Sequence, residues 1–142
     1  MIVLDFESIN VNYLGYNLPC GNLIIKGNAG DRTGYSMQSG SIIVDGNAGA
    51  DTGIMQSGSI TIRGNAGDWT GDSMKGGSII VDGNSGKYTG YFMQSGSITI
   101  HGNTDSFTGN YSKGGEIKVN GEIKDISINA KAAIFCKGKK VN

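Results

Sequence analysis

Short stretches of alternating aliphatic and variable residues recur along this chain at nearly constant spacing. In each stretch an aliphatic pair flanks a variable residue, as Ile42 and Val44 flank Ile43. Alternation with a period of two is typical of a β-strand, so the aliphatic pair is predicted to point inward. The inward positions form two columns: Leu23, Ile42, Ile60, Ile79, Ile98 and Ile117; and Ile25, Val44, Ile62, Val81, Ile100 and Val119.

A glycine-rich tetrapeptide repeats with the same spacing. Gly-Asn-Ala-Gly begins at Gly27, Gly46 and Gly64, and variants begin at Gly83 and Gly102, in steps of 19, 18, 19 and 19 residues. One short strand per step leaves little chain for a crossover helix, and near-identical repeats superimpose most simply as parallel strands. The sequence therefore predicts an all-β fold, a single-stranded, right-handed parallel β-helix of about six to seven 19-residue coils.

The whole chain, residues 1–142, is predicted to be a single β-helix domain. Residues 8–26 form a degenerate first coil, residues 27–120 form the regular coils, and residues 121–142 form a C-terminal cap and basic tail. Within this last part, residues 129–136 fit either a helix or a further strand. Terminal repeats are expected to depart from the pattern because they close an open end.

Further columns follow from the same register. A third inward column is predicted at Leu18, Met37, Met55, Met74 and Met93, giving way to Ser112. Small residues are predicted at a tight corner: Ala29, Ala48, Ala66, Ser85 and Thr104. A column of asparagines is expected to tolerate positive φ and to bond amide to amide between coils: Asn28, Asn47, Asn65, Asn84 and Asn103.

Composition and charge narrow the classes of function. The chain has 12 basic and 12 acidic residues, and this balance argues against a general attraction to nucleic acid or anionic membranes. Cys20 and Cys136 lie far apart in no paired motif, so free thiols in a reducing compartment are expected. Apolar runs are short and the acidic N-terminal segment lacks a secretory pattern, so the expected location is cytoplasmic.

The sequence offers no catalytic, cofactor-binding or metal-binding constellation. Residues 83–89 resemble a phosphate loop, but Lys87 is not followed by Ser or Thr. The only histidine, His101, belongs to an outward column of alternating charge and is expected to pair with Asp82. That column is Lys26, Asp45, Arg63, Asp82, His101 and Asn120.

Two other outward columns are candidate interfaces. The aromatic column either meets a partner or a flat ligand, or stabilises the rod by stacking. The strand column contributes three isoleucines, which indicate either a packing surface or a preference for β-branched residues in strands. The candidate interface residues are Trp69, Tyr88, Phe107, Ile24, Ile43 and Ile80.

The repeat unit Gly-Asn-Ala-Gly-Asp-x-Thr-Gly-x-x-Met-x-x-Gly-x-Ile-x-Val, as at residues 27–44 and 64–81, resembles a known repeat. It is similar to the repeat-containing subunit of molybdenum- or tungsten-containing formylmethanofuran dehydrogenase, and to the C-terminal domain of the large glutamate synthase subunit. The resemblance covers about residues 15–121. It implies a non-catalytic β-helix scaffold, packed in the dehydrogenase against subunits that carry a pterin-bound metal and an amidohydrolase-type zinc site. It carries no active-site residue over to this chain.

The leading functional expectation is a non-catalytic assembly subunit of an oxidoreductase-type complex, or a standalone relative of the repeat-containing dehydrogenase subunit. Its partners would be catalytic subunits or further copies of itself, with no nucleic acid, no membrane and no cofactor of its own. The alternatives are a glutamate synthase-type scaffold domain and a small-ligand module that uses the aromatic column. A carbohydrate-active β-helix enzyme is disfavoured because such enzymes cluster carboxylates, whereas the outward acids here alternate with bases.

Overall fold

A computed structural model describes residues 1–6 and 10–142 of the chain. Residues 8 and 9 of the predicted first coil lie outside the described residues. The described residues form nine strands and no helix. The strands are Ile2–Phe6 (β1), Asn22–Gly27 (β2), Ser41–Val44 (β3), Ser59–Ile62 (β4), Ser78–Val81 (β5), Ser97–Ile100 (β6), Glu116–Val119 (β7), Ala133–Cys136 (β8) and Lys139–Lys140 (β9).

All nine strands belong to one sheet and follow each other in chain order. Strands β1 to β8 run parallel, and β9 turns back antiparallel to β8. The chain thus winds as a β-solenoid of about seven turns, which confirms the predicted parallel coils. The 18-residue step keeps the strands in register, with Ile42 opposite Ile60, because the turn absorbs the deletion where Ile54 alone separates Gly53 from Met55.

The core lies between the inner face of the sheet and the turns opposite it. Every residue of the two predicted strand columns is buried, with at most 6% of its surface exposed. The four methionines of the third column are fully enclosed, Ser112 is buried at its end, and Leu18 is half-buried at its start. A buried aliphatic side chain contributes roughly 1.5–3 kcal/mol, so these columns dominate the stability of the fold.

A column of buried threonines also faces the core, and the sequence pattern led to no prediction for it. Each hydroxyl donates to the carbonyl three residues earlier, as Thr70 Oγ1 does to Gly67 O at 3.0 Å. Because every hydroxyl has this local acceptor, burying the column leaves no donor unsatisfied. The column is Thr33, Thr52, Thr70, Thr89 and Thr108.

The asparagine column links neighbouring coils in a different way from the prediction. Asn28 Oδ1 accepts the backbone N–H of Asn47 at 2.8 Å, and the next asparagines repeat this bond. The prediction of amide-to-amide bonds and positive φ was wrong, because the side-chain oxygen satisfies a backbone donor and the left-handed residues lie elsewhere in the coil. The other donors in the series are the backbone N–H groups of Asn65, Asn84, Asn103 and Glu122.

The asparagine column explains why glycine precedes each asparagine in the repeat. A Cβ on Gly46 would lie 2.4 Å from Asn28 Oδ1 and 2.7 Å from the carbonyl oxygen of Gly27. Both distances are far below van der Waals contact, so a side chain here would displace the coil beneath. Each Gly-Asn pair therefore contacts two neighbouring coils. The asparagine accepts a hydrogen bond from the following coil, and the glycine leaves room for the asparagine of the preceding coil.

The two ends of the solenoid extend beyond the regular repeats. Strand β1 places Ile2 over Leu23 and Leu4 over Ile25, which adds a strand before the predicted first coil. At the other end, residues 129–136 contain strand β8, one of the two predicted alternatives. The Asn142 side chain then accepts from Ile134 N at 2.8 Å and donates to Ala132 O at 2.7 Å, which ties the last residue to β8.

Candidate functional site

The outer face of the sheet carries a continuous column of mainly β-branched side chains. The register places Val3, Ile24, Ile43, Thr61, Ile80 and Thr99 side by side on successive strands. Five steps of about 4.8 Å make this column roughly 24 Å long. Val3 and Ile80 are exposed, at 46% and 37%, and Ile24 and Ile43 are half-buried. The three predicted isoleucines therefore share one surface, and β1 extends it. We call these six residues the sheet strip.

Half-buried serines border the sheet strip on one side, and paired charges border it on the other. Ser41, Ser59, Ser78 and Ser97 form the serine column. In the charged column, Arg63 Nη1 lies 2.9 Å from Asp45 Oδ1. His101 Nδ1 lies 3.1 Å from Asp82 Oδ1, which confirms the predicted placement of the only histidine. These groups are exposed, so each pair adds only about 0–1 kcal/mol, but the Arg63–Asp45 pair brings opposite charges together beside the sheet strip.

The predicted aromatic column occupies a corner of the coil where the backbone is left-handed. Trp69, Tyr88 and Phe107 have φ of 60°, 59° and 64°, and Arg32 and Asp51 have nearly the same value in earlier coils. Bonds between coils hold this conformation, since Trp69 N donates to Lys87 O at 2.8 Å and Tyr88 N to Ser106 O at 3.0 Å. The turn therefore fixes the backbone whatever the side chain, and the same position accepts an arginine, an aspartate or an aromatic ring.

The rings of this column pack on one another. Tyr88 and Phe107 are stacked with centroids 5.0 Å apart, whereas Trp69 meets Tyr88 edge-on at 5.1 Å. Trp69 and Tyr88 are half-buried, and Phe107 is 42% exposed. Stacking, one of the two predicted roles, is thus present, and binding of a partner or ligand stays a prediction. The Trp69 indole N–H is buried without an acceptor among the described residues.

A second aromatic column, which the sequence pattern did not lead us to predict, lies beside the first. Phe92 and Tyr111 are stacked with centroids 5.3 Å apart. Tyr91 joins the two columns, at 4.5 Å from Phe92 and 6.2 Å from Trp69. The 19-residue separation of Phe92 and Tyr111 was the signal that could have revealed this column. We call the combined group the C-terminal aromatic cluster: Trp69, Tyr88, Tyr91, Phe92, Phe107 and Tyr111.

A smaller aromatic group occupies the equivalent corners of the first coils. Tyr16 and Tyr35 are stacked at 5.9 Å, and Tyr13 packs against both. The Arg32 guanidinium lies 5.2 Å above the Tyr13 ring and also bonds the Tyr13 hydroxyl, which raises the pKa of Arg32. Arg32 Nε reaches Asp51 at 3.5 Å, so this group ends in an exposed ion pair.

Acidic residues replace the aromatic rings between these two groups. Asp51 takes the corner position of Arg32 and Trp69, and Asp72 takes the position of Tyr35 and Tyr91. Burial raises the pKa of the Asp72 carboxyl, the Ser73 hydroxyl at 2.7 Å partly opposes the shift, and the charge of Asp51 adds to it. The aromatic corner is therefore divided into two groups by a polar middle.

The remaining features of the described residues concern the cysteines, metal-binding groups and long apolar helices. Cys20 and Cys136 are free, as predicted. No group of three or more His, Cys, Asp or Glu residues in the described ranges could hold a metal ion. In the same ranges there is no long apolar helix of the kind that crosses a membrane. Comparison with known proteins adds no identification, since no family model and no curated protein matches the chain.

Proposed function

We propose that this protein is a non-catalytic assembly module that binds a protein partner through the sheet strip. The observation that carries the proposal is the sheet strip itself, a continuous row of β-branched side chains on the outer face of a parallel sheet. Parallel sheets are usually covered on both faces, whereas here only the inner face is covered by the described residues. In the proposed complex, the partner protein covers the outer face.

The neighbouring columns favour a protein partner of low net charge. Asp45 forms an ion pair with Arg63, so a partner that covers the strip need not neutralise it, and Asp82 has a hydrogen-bond partner in His101. The serine column has small side chains that permit close approach. Interfaces of this kind have an apolar centre and a polar rim, with charges depleted at the centre.

For the identity of the partner, we infer a catalytic subunit of an oxidoreductase-type complex. This inference rests on the resemblance of residues 27–44 and 64–81 to the repeat found in formylmethanofuran dehydrogenase. A glutamate synthase-type scaffold domain uses the same kind of repeat and is the alternative within the same class. The proposal places the protein in the cytoplasm, because both cysteines are unpaired thiols.

Capture of the native complex with surface variants tests this proposal. Ile43→Lys and Ile80→Lys each place a charge within the sheet strip, at positions equivalent to Lys118 in strand β7. Gln56→Lys is the matched control, because it adds the same charge outside the strip at a position where other coils have Lys75 and Lys113.

The wild-type chain and Gln56→Lys are expected to retain the catalytic partner in fixed ratio, and both strip variants are expected to lose it. Retention of the partner by Ile43→Lys and Ile80→Lys would refute the role of the strip. Capture of further copies of this chain alone would refute the assembly role with a catalytic partner.

A further inference from the structure

A cleft of about 420 Å³ lies where the C-terminal aromatic cluster ends. One wall is the corner of the last regular coil, and the other is the corresponding segment of the coil that follows. Its volume is within the usual range for small-molecule sites, which is roughly 300–1,000 Å³. Its lining includes Phe92, Tyr111, Lys113, Ile128, Asn129 and Lys131.

Tyr111 is the last ring of its stack, and this gives the cleft an aromatic wall. Phe92 covers one face of the Tyr111 ring, with centroids 5.3 Å apart and planes inclined by 16°. Tyr111 remains 48% exposed. The next coil supplies no aromatic residue to cover the other face, since Ile128 extends into solvent and is 98% exposed. A flat ring in the cleft would therefore take the next place in the stack.

Inside the cluster, the rings are already occupied by their neighbours. Tyr88 is covered by Phe107 on one side and meets the edge of Trp69 on the other. In the predicted ligand platform along Trp69, Tyr88 and Phe107, only Phe107 is exposed, and it does not line the cleft. The open aromatic face that borders a cleft belongs to Tyr111, in the column that was not predicted from the sequence.

Two lysines give the cleft a positive charge. Lys113 N donates to Met93 O at 2.7 Å and Lys131 N to Ser112 O at 3.2 Å, so the two residues occupy the same position on successive coils. Neither lysine forms an ion pair within the described ranges. Like charges at the same position of neighbouring coils repel each other, and an anion between them removes that repulsion.

The other polar groups of the cleft are neutral, so only the two lysines can form an ion pair with a charged ligand. Ser112 Oγ already accepts the N–H groups of Lys131 and Ala132, at 3.0 and 2.9 Å. None of the described residues that line the cleft is a carboxylate. The wall chemistry thus combines one aromatic face, aliphatic contacts and two ammonium groups.

We propose that this cleft binds a small carboxylic acid built on a six-membered ring, with the ring stacked on Tyr111 and the carboxylate between Lys113 and Lys131. Aromatic acids and uronic acid sugars share this chemistry, since both present an apolar ring face and a carboxylate. This site is separate from the sheet strip and does not depend on the proposed assembly role.

Titration of the full-length, isotopically labelled protein at low salt, followed by amide and side-chain NMR shifts, tests the proposal with three probes. Benzoate and glucuronate represent the two sources of ring acid, and inorganic phosphate carries charge without a ring. Saturable shifts at Tyr111, Lys113 and Asn129 are expected with benzoate, glucuronate or both, and the preferred acid identifies the source. Phosphate is expected to bind more weakly than the preferred acid.

Variants chosen from other coils separate the two contacts. Tyr111→Ser introduces the residue found at the equivalent Ser36 and Ser73, and is expected to abolish saturable binding. Lys113→Gln introduces the residue found at Gln94, and is expected to weaken binding about two- to fivefold, the range for an exposed charge contact. Lys75→Gln makes the same exchange on a coil away from the cleft and is expected to leave binding unchanged.

Several results would overturn the proposal. Absence of saturable shifts with both ring acids would do so, as would phosphate binding that equals or exceeds ring-acid binding and persists in Tyr111→Ser. Equal loss of affinity in Lys113→Gln and Lys75→Gln would show only a general charge effect. Unchanged amide shifts elsewhere in a variant establish that it is folded. If Tyr111→Ser does not fold, the comparison of Lys113→Gln with Lys75→Gln decides the outcome.

Discussion

The sheet side and the corner side of the same coils differ in how much they vary. On the sheet side, each regular coil presents inward aliphatics at two positions, all of them buried. On the corner side, one backbone position with φ near 60° carries Tyr13, Arg32, Asp51, Trp69, Tyr88 and Phe107 in turn. The inward sheet positions are similar in every coil, which allows the coils to stack, whereas the corner position differs from coil to coil.

The physical reason lies in what holds each side together. The inward side chains of the sheet pack against those of neighbouring coils, so a change in side-chain volume there disturbs the packing of both neighbours. Corner positions are held by backbone bonds between coils, such as Arg32 N to Ala50 O at 2.8 Å, and the side chain is left free to vary. The corner is therefore where coil-specific chemistry, such as the C-terminal aromatic cluster, can arise without loss of the fold.

The largest expected effect comes from truncating the sheet-side core. Ile79→Ala removes a side chain that is 1% exposed and packs against Gly53 of an earlier coil. We expect a loss of about 2–5 kcal/mol in the free energy of unfolding, measured by urea denaturation. Ile80→Ala, one residue along on the outer face, is the control and is expected to cost less than about 1 kcal/mol. Equal losses in the two variants would contradict the assigned orientation of the strand.

A clash with the neighbouring coil is expected to cost somewhat less. Gly83→Ala places a Cβ 2.4 Å from Asn65 Oδ1 and 2.7 Å from the carbonyl oxygen of Gly64, so the coils must separate locally. We expect a loss of about 1–3 kcal/mol in urea denaturation, the usual range for overpacking. Gly76→Ser is the comparison, because its Cβ would closely approach only the carbonyl oxygen of Gln56, at 2.8 Å, and other coils have Ser39 and Ser57 at this position. Its expected loss is smaller. A Gly83→Ala protein as stable as wild type would remove the explanation given for the Gly-Asn pair.

Removal of one bond between coils is expected to have a smaller effect. Asn84→Ala deletes the acceptor of the Asn103 N–H at 2.8 Å, in an exposed part of the coil where water replaces it. The free energy of unfolding should fall by about 0.5–1.5 kcal/mol. Asn84→Asp keeps the oxygen acceptor and should recover most of the loss. Failure of Asn84→Asp to differ from Asn84→Ala would show that the bond contributes nothing measurable.

The smallest expected effect is the change in stability when Asp72, an acid at the corner of the coil, is replaced, and this effect depends on pH. Burial raises the pKa of Asp72 above its ordinary value of 3.8, so the folded state disfavours the charged carboxylate. This penalty is present above the folded-state pKa and disappears as the pH falls below the unfolded value of 3.8. Asp72→Asn, which matches the residue at Asn110, should therefore raise the melting temperature at neutral pH and have no effect near pH 3. A gain that is equal at both pH values would contradict this cause.

The same contrast explains what the sequence could and could not predict. The strand columns and their register follow from strict alternation and a fixed step, because burial selects aliphatic residues at every inward position. The outward isoleucines Ile24, Ile43 and Ile80 were correctly predicted to share a column because the same alternation and step fix their register, and their role as an interface stays a prediction. The extension by β1 was missed because Val3 precedes Ile24 by 21 residues, outside the regular step.

Corner features were harder to predict because side-chain direction there depends on left-handed backbone. The 19-residue step places Trp69, Tyr88 and Phe107 in one column. Tyr91 packs against this column from another position of the coil, and Phe92 and Tyr111 pack against Tyr91. The asparagine side chains were predicted to bond to one another, but they accept backbone N–H groups. Residue type alone does not show which group of the next coil lies within reach. The cleft beside Tyr111 depends on where the repeat ends.

The mass of the native complex captured by the wild-type chain, compared with that captured by Ile43→Lys, tests the assembly proposal most directly. We predict a complex of fixed stoichiometry that contains a catalytic oxidoreductase subunit with the wild-type chain, and the mass of the free chain with Ile43→Lys. The same complex in both experiments, or no partner beyond copies of this chain, would contradict the proposal.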